Sequence, residues 1–189
     1  MAKGKGVTGE TKRVKDLMIP LAEYPTVPDS ATLLDAVRTL QRSRLTHTSD
    51  RQPPRAVLIT NMNRKVVGQI GHLDFLKALE PKYGLIGDLD MLSRVGVSNE
   101  LMTSLIDNLK FWQRDLTEVC RRARFVGVRD IMHPITESID EDSPLAEAIH
   151  RIVMWQTMRI LVTRAGEAVG ILRLADLYGE VAECLEVQE

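Results

Sequence analysis

An α/β fold of the α+β type is predicted here, in which one β-α-β-β-α unit occurs twice and the copies pack with pseudo-twofold symmetry. Three observations predict it. A short pattern recurs, Val14-Lys15-Asp16-Leu17-Met18-Ile19-Pro20 and then Val128-Arg129-Asp130-Ile131-Met132-His133-Pro134. Downstream of each copy, further features recur in the same order. An Asp-Ser pair (Asp29-Ser30; Asp142-Ser143) precedes an apolar-periodic run, then a β-rich run ending in Thr60 or Thr163, then a Gly with an Asp six positions on (Gly68 and Asp74; Gly170 and Asp176). Finally, each copy alone is short for a self-sufficient core, whereas 189 residues at 44% hydrophobic content can bury one core or two fused ones.

Local pattern gives the elements. Residues 1–13 carry Gly and Lys without an apolar stretch and are expected to form a flexible tail. Residues 14–80 are the first repeat and 128–189 the second. After each Met-x-Pro an extended segment is expected, Glu23 to Val27 and Thr136 to Ile139. Ser143, followed by Pro144 at the first helical position, is expected to cap the second copy's first helix. Leu145, Ala148, Ile149 and Ile152 share one helical face, as do Leu33, Val37 and Leu40 in the first copy. Paired strands are expected at Ala56 to Thr60 with Lys65 to Ile70, and at Arg159 to Thr163 with Ala168 to Leu172. Their turns, Asn61-Met62-Asn63-Arg64 and Arg164-Ala165-Gly166-Glu167, have hairpin chemistry. A second helix starts near Leu73 and near Leu174.

Residues 81–127 form a helical insert that the repeat does not explain. A short helix around Leu85, Leu89 and Leu92 is expected, then a long one from about Ser98. Its stripe of Met102, Leu105, Leu109, Trp112, Leu116, Val119 and Ala123 has the three-and-four spacing of a helix–helix seam. Either the insert covers its own domain or it meets a second protomer.

Composition excludes several functions. Lys+Arg 25 against Asp+Glu 26 leaves a net charge of -1, which gives no electrostatic footprint for nucleic acid or an anionic membrane. No apolar run approaches a membrane span. Two isolated cysteines, Cys120 and Cys184, fit a reducing cytoplasm. His47, His72, His133 and His150 lack ligand spacing, so no metal site is expected. Nothing resembles a nucleophile–base pair, a phosphate-cradling loop or a carboxylate dyad, so the chain does not read as an enzyme and no catalytic cofactor is expected.

The doubled set resembles a tandem CBS-domain pair, or Bateman module. Its carriers are the two Met-x-Pro motifs, Asp142-Ser143-Pro144-Leu145-Ala146-Glu147-Ala148, Met158-Arg159-Ile160-Leu161-Val162, and the closing runs Gly68-Gln69-Ile70-Gly71-His72-Leu73-Asp74 and Gly170-Ile171-Leu172-Arg173-Leu174-Ala175-Asp176. The resemblance implies clefts that in many relatives bind adenine nucleotides (AMP, ADP, ATP) or S-adenosylmethionine. It implies that Asp74 and Asp176 hold ribose hydroxyls, for which a carboxylate is a suitable double acceptor. Arg159 matches the basic residue near phosphates, Arg55 lies close to its equivalent, and His72 and Thr136 complete the expected ligand-binding set. Where relatives have Thr or Ser, this chain has Gly71 and Arg173; a guanidinium there can take a phosphate. An Asp in the first helical turn is also what a helix start favours by itself.

The function so implied is a stand-alone regulatory module that binds an adenosyl ligand and signals to a protein effector, with a homodimer as the expected assembly. The rival is a ligand-free dimerisation or interaction module with vestigial clefts. Asp176→Ala is expected to abolish binding and leave the fold intact.

Overall fold

The computed structural model describes residues 12–46, 51–79 and 115–186, with scattered residues between 98 and 107. In chain order the first elements are α1 (Val14–Leu17), β1 (Ile19–Pro20), a 3-10 turn (Leu21–Glu23), β2 (Thr26–Pro28) and α2 (Leu33–Leu45). Then come β3 (Ala56–Thr60), β4 (Val66–Gly71), α3 (His72–Lys77) and α4 (Leu116–Ala123). A second 3-10 turn (Val128–Asp130), β5 (Ser138–Asp140), α5 (Leu145–Trp155), β6 (Arg159–Arg164), β7 (Glu167–Arg173) and α6 (Leu174–Glu186) complete them. The fold is mixed α+β with two small sheets.

The chain divides into two compact units: residues 1–24, 48–52 and 135–189, and residues 25–47 and 53–134. These are not the sequence repeats. Each opening motif is built into the unit that carries the other repeat's hairpin. In the first unit the sheet order is β1-β7-β6-β5, with β1 antiparallel to β7 (Ile19 opposite Ile171) and β5 parallel to β6. Val14, fully buried, joins the core of Ile139, Ala148, Ile152, Ile160, Val162 and Leu172. The second unit has the order β2-β3-β4, and there Val128 joins Val27, Ala36, Leu40, Val57, Ile59 and Ile70.

This exchange explains the repeated Met and Gly. A Cβ on Gly170 would lie 2.7 Å from the Ile19 carbonyl oxygen and 2.8 Å from Met18 Sδ. One on Gly68 would lie 2.8 Å from Met132 Sδ and 2.9 Å from the His133 carbonyl oxygen. Only a glycine lets the motif backbone come so close. The recurring threonines have a shared task as well. Thr60 and Thr163 each donate their hydroxyl to a carbonyl of the neighbouring parallel strand, Val27 (3.4 Å) and Ile139 (3.3 Å).

Several expectations are corrected. Helix α5 starts at Leu145 with Pro144, not Ser143, as its N-cap residue. In α2 it is Thr32 that caps, in a reciprocal arrangement with Asp35. The extended segments are shorter than expected, because Glu23 lies in the first 3-10 turn. On α2 Ala36 rather than Val37 is buried with Leu33 and Leu40. Lys12 and Arg13 are tied down, since Leu145 N–H donates to the Lys12 carbonyl (3.4 Å); residues 1–11 of the tail lie outside the described residues.

The expected continuous helix from Ser98 to Ala123 is interrupted. Asp115 has extended backbone (φ -63°, ψ 127°), so α4 begins at Leu116. Asp115 makes no side-chain cap bond, so the break is a property of its backbone and not of a capping contact. Within the second unit Ala123 is buried against Leu33 and Ala78, while Leu116 is exposed. The short helix around Leu85, Leu89 and Leu92, and Met102, Leu105, Leu109 and Trp112, lie outside the described residues.

Candidate functional site

The first unit concentrates polar groups where β7 passes into α6. Arg173 ends β7 and Asp176 lies in the first turn of α6, a spacing that puts both side chains over the helix start. Their pairing is two-pronged: Nε to Oδ2 and Nη2 to Oδ1, both 2.6 Å. The third guanidinium nitrogen, Nη1, donates to the Gln52 carbonyl at 2.7 Å. Side-chain exposure is 7% for Arg173 and 6% for Asp176. The carboxylate is therefore already engaged within the chain.

Tyr24 completes the cluster. It follows the first 3-10 turn, which packs on β7, and is only 4% exposed. Its hydroxyl is buried and has no hydrogen-bond partner among the described residues. Burial pushes the phenol up, while Arg159 and Arg173 pull it down and Asp176 pushes it up, which puts all three within electrostatic reach. Arg159 stands directly opposite Arg173 in the β6–β7 register, so both side chains share one face. The 51–52 segment closes the group. Arg51 Nη1 donates to the carbonyls of Leu17 (2.9 Å) and Met18 (3.2 Å), beside the Gln52 contact.

An orphaned buried hydroxyl costs about 1–3 kcal/mol. Tyr24→Phe is therefore expected to stabilise the ligand-free protein, raising its melting temperature by about 2–12 °C. Because the folded-state phenol is raised, its stabilising share is fully present below about pH 10 and is lost as pH rises further. The Phe variant should lack that alkaline loss, as melting curves between pH 8 and 11 would reveal.

The second unit holds the other expected residues. Asp74, 9% exposed, accepts the Gly71 N–H at 2.7 Å through Oδ2 and meets His133 Nε2 at 2.7 Å through Oδ1. The first contact is the helix-start role that Asp16 and Asp35 also perform, accepting from Arg13 N–H and Thr32 N–H. His72 and Arg55 are exposed, Arg55 directly preceding β3. Thr136, in the first unit, is exposed and its hydroxyl donates to Glu137 Oε1 at 3.4 Å. Thus Arg173, Asp176 and Arg159 come together, and Asp74 and Gly71 are directly bonded. Thr136 and Arg55 make no described polar contact with these groups. Tyr24, Gln52 and His133 were not foreseen. The one sequence signal was for His133, a polar residue where the first motif has Ile19.

Among the described residues no three His, Cys, Asp or Glu side chains form a cluster able to hold a metal, and no helix is long and apolar enough to cross a membrane.

The CBS-domain family profile matches residues 14–81 and 128–183, taking in both motifs, both hairpins and both helix starts described above. This chain belongs to the CBS-domain family. Solved structures with the same fold include the CBS-pair protein CBSX2 from Arabidopsis thaliana, 16% identical over 94% of this chain and 99% of that one, TM-score 0.60. A structure of CBSX2 in complex with AMP is 19% identical, covering 90% of this chain and 97% of that one, TM-score 0.57. A putative acetoin utilization protein from Vibrio cholerae is 18% identical, covering 95% and 96%, TM-score 0.58. Likeness at such identities is likeness of fold. No curated protein matches the sequence. The CBS profile and the two compact units cut the chain differently, because the profile follows sequence order and the units follow the exchanged motifs.

Proposed function

We propose that this CBS pair is a non-catalytic regulatory module that binds an adenosyl ligand and passes its occupancy to a protein partner. The observation that carries the reading is the buried cluster of Tyr24, Arg173 and Asp176, with a hydroxyl that none of the described residues satisfies. A buried polar group without a partner is uncommon and invites one from outside. The AMP complex of CBSX2, a protein of the same fold, supports the choice of ligand class. Asp176 is assigned the ribose hydroxyls, with Arg159 and Arg173 facing phosphate. Asp74, Gly71, His72 and Arg55 are the corresponding residues of the second unit, and Thr136 lies on the rim of the first.

One observation favours the rival, a ligand-free interaction module. Both carboxylates are already satisfied within the chain, Asp176 by Arg173 and Asp74 by Gly71 and His133. Thermal shift with AMP, ADP, ATP and S-adenosylmethionine separates the two readings. A ligand that binds only the folded state at about 100 times its Kd adds roughly 2.7 kcal/mol. A rise of several degrees with at least one compound is expected; no rise with any of them at millimolar concentration favours the rival.

The homodimer is proposed on a different surface from the insert. Along α6, Leu174, Tyr178, Val181 and Leu185 repeat at helical spacing and are 39%, 72%, 38% and 69% exposed; on α5, Val153 and Met154 are each 65% exposed. An apolar stripe of this extent is uncommon on a monomer, and a second copy of the same stripe covers it isologously. Val153→Glu with Tyr178→Glu should give a folded monomer by light scattering. A dimer that survives both changes assigns assembly elsewhere.

A further inference from the structure

A site that read ribose alone would leave its carboxylate open, and this one does not. Arg173 occupies both oxygens of Asp176 and anchors its remaining nitrogen on the Gln52 carbonyl. With side chains 7% and 6% exposed, water screens this pairing little. A nucleoside offers hydroxyl groups and no anion. Its ribose must compete with a charge-assisted, two-pronged contact for the same two oxygens, and a neutral hydroxyl is the weaker partner. Phosphate changes the exchange. It accepts the guanidinium fork in the same bidentate geometry as a carboxylate, so Arg173 loses no partner when it turns from Asp176 to the ligand.

Two further features favour an anion at this place. Arg159 stands opposite Arg173 in the β6–β7 register, which puts a second guanidinium on the same face of the sheet. The Tyr24 hydroxyl lies within electrostatic reach of both arginines and has a proton to donate. Asp74 in the second unit is held differently, by a backbone N–H and a histidine, so the device belongs to the first unit.

We infer that Arg173 is the specificity-determining residue of the first unit's site, selecting phosphorylated adenosyl ligands over adenosine by exchanging Asp176 for a ligand phosphate. The inference rests on the adenosyl-binding reading above and ranks nucleotides over the nucleoside. Occupancy then moves a buried side chain: the guanidinium leaves both Asp176 and Gln52, which ties ligand binding to the 51–52 segment.

Calorimetry with AMP and adenosine on the wild type and Arg173→Thr tests it. The substitution leaves Asp176 a helix-start partner, in the Thr-x-x-Asp spacing that Thr32 and Asp35 already use, so it is expected to fold. Wild type should bind AMP at least about tenfold tighter than adenosine, and the AMP advantage should shrink as salt rises. In Arg173→Thr the gap between AMP and adenosine should fall to about threefold or less, adenosine gaining because no guanidinium competes for Asp176. Equal wild-type affinities for AMP and adenosine, or an unchanged gap in the variant, overturn the inference and leave the adenosyl reading standing. No binding of any adenosyl compound to wild type overturns both. Should the variant not fold, the wild-type ratio and its salt dependence still decide.

Discussion

Gly170→Ala is expected to destabilise the protein by about 2–3 kcal/mol, the upper range for overpacking a tight site. In a chain of this size that lowers the melting temperature by roughly 5–10 °C. The added methyl would sit 2.7 Å from the Ile19 carbonyl oxygen, a backbone atom, and 2.8 Å from Met18 Sδ. Methionine can repack, but the carbonyl cannot move without parting β1 from β7, where Pro20 lies opposite Gly170. Trimming Met18 should therefore rescue little. Gly179→Ala is the internal control. It lies within α6, nothing stands within 4 Å of its new Cβ, and it should gain up to about 1 kcal/mol from helix propensity. Urea unfolding curves of the two variants should shift in opposite directions.

Asp176→Ala is expected to cost about 3–5 kcal/mol, because it strands a buried guanidinium. That corrects the sequence-based expectation of an intact fold. At 6–7% side-chain exposure the discount for solvent screening is small, and the Gln52 carbonyl alone remains to Arg173. Arg173→Met combined with Asp176→Leu should recover most of the loss, since apolar residues of similar volume often replace a buried pair without penalty. A single variant as stable as wild type would mean that Arg173 finds solvent, and that the pair is not a closed latch.

The repeat, the hairpins and the helix starts were legible because each leaves a local trace. Thr60 and Thr163 close β-rich runs, Asp74 and Asp176 follow their glycines at one spacing, and Gly166 takes the positive φ of its turn. The motif exchange was not legible. β1 is two residues long and pairs with β7 about 150 positions away, so no periodicity announces it. The break at Asp115 had a local signal, Asp-x-x-Glu with Glu118, which the longer apolar stripe overrode. Glu118 turned out to serve Arg121 and Arg122, which hold its carboxyl down at about 2. At the site, Arg173 and Asp176 were identified as residues but not as each other's partners. Three-residue spacing fits a ligand clamp and an ion pair equally well, and only burial decides. Tyr24 and Gln52 enter through tertiary contact. Nothing around them in sequence separates an orphaned hydroxyl or a borrowed carbonyl from ordinary core and loop.

If the Tyr24, Arg173 and Asp176 cluster of the first unit receives an adenosine nucleotide, calorimetry is the shortest route to seeing it. AMP is titrated into wild type and into the folded Arg173→Met, Asp176→Leu double variant. Saturable binding to wild type is expected, with its loss, by about a hundredfold or more, in the double variant. Wild-type affinity retained in the double variant would refute the assignment of this cluster as the nucleotide site.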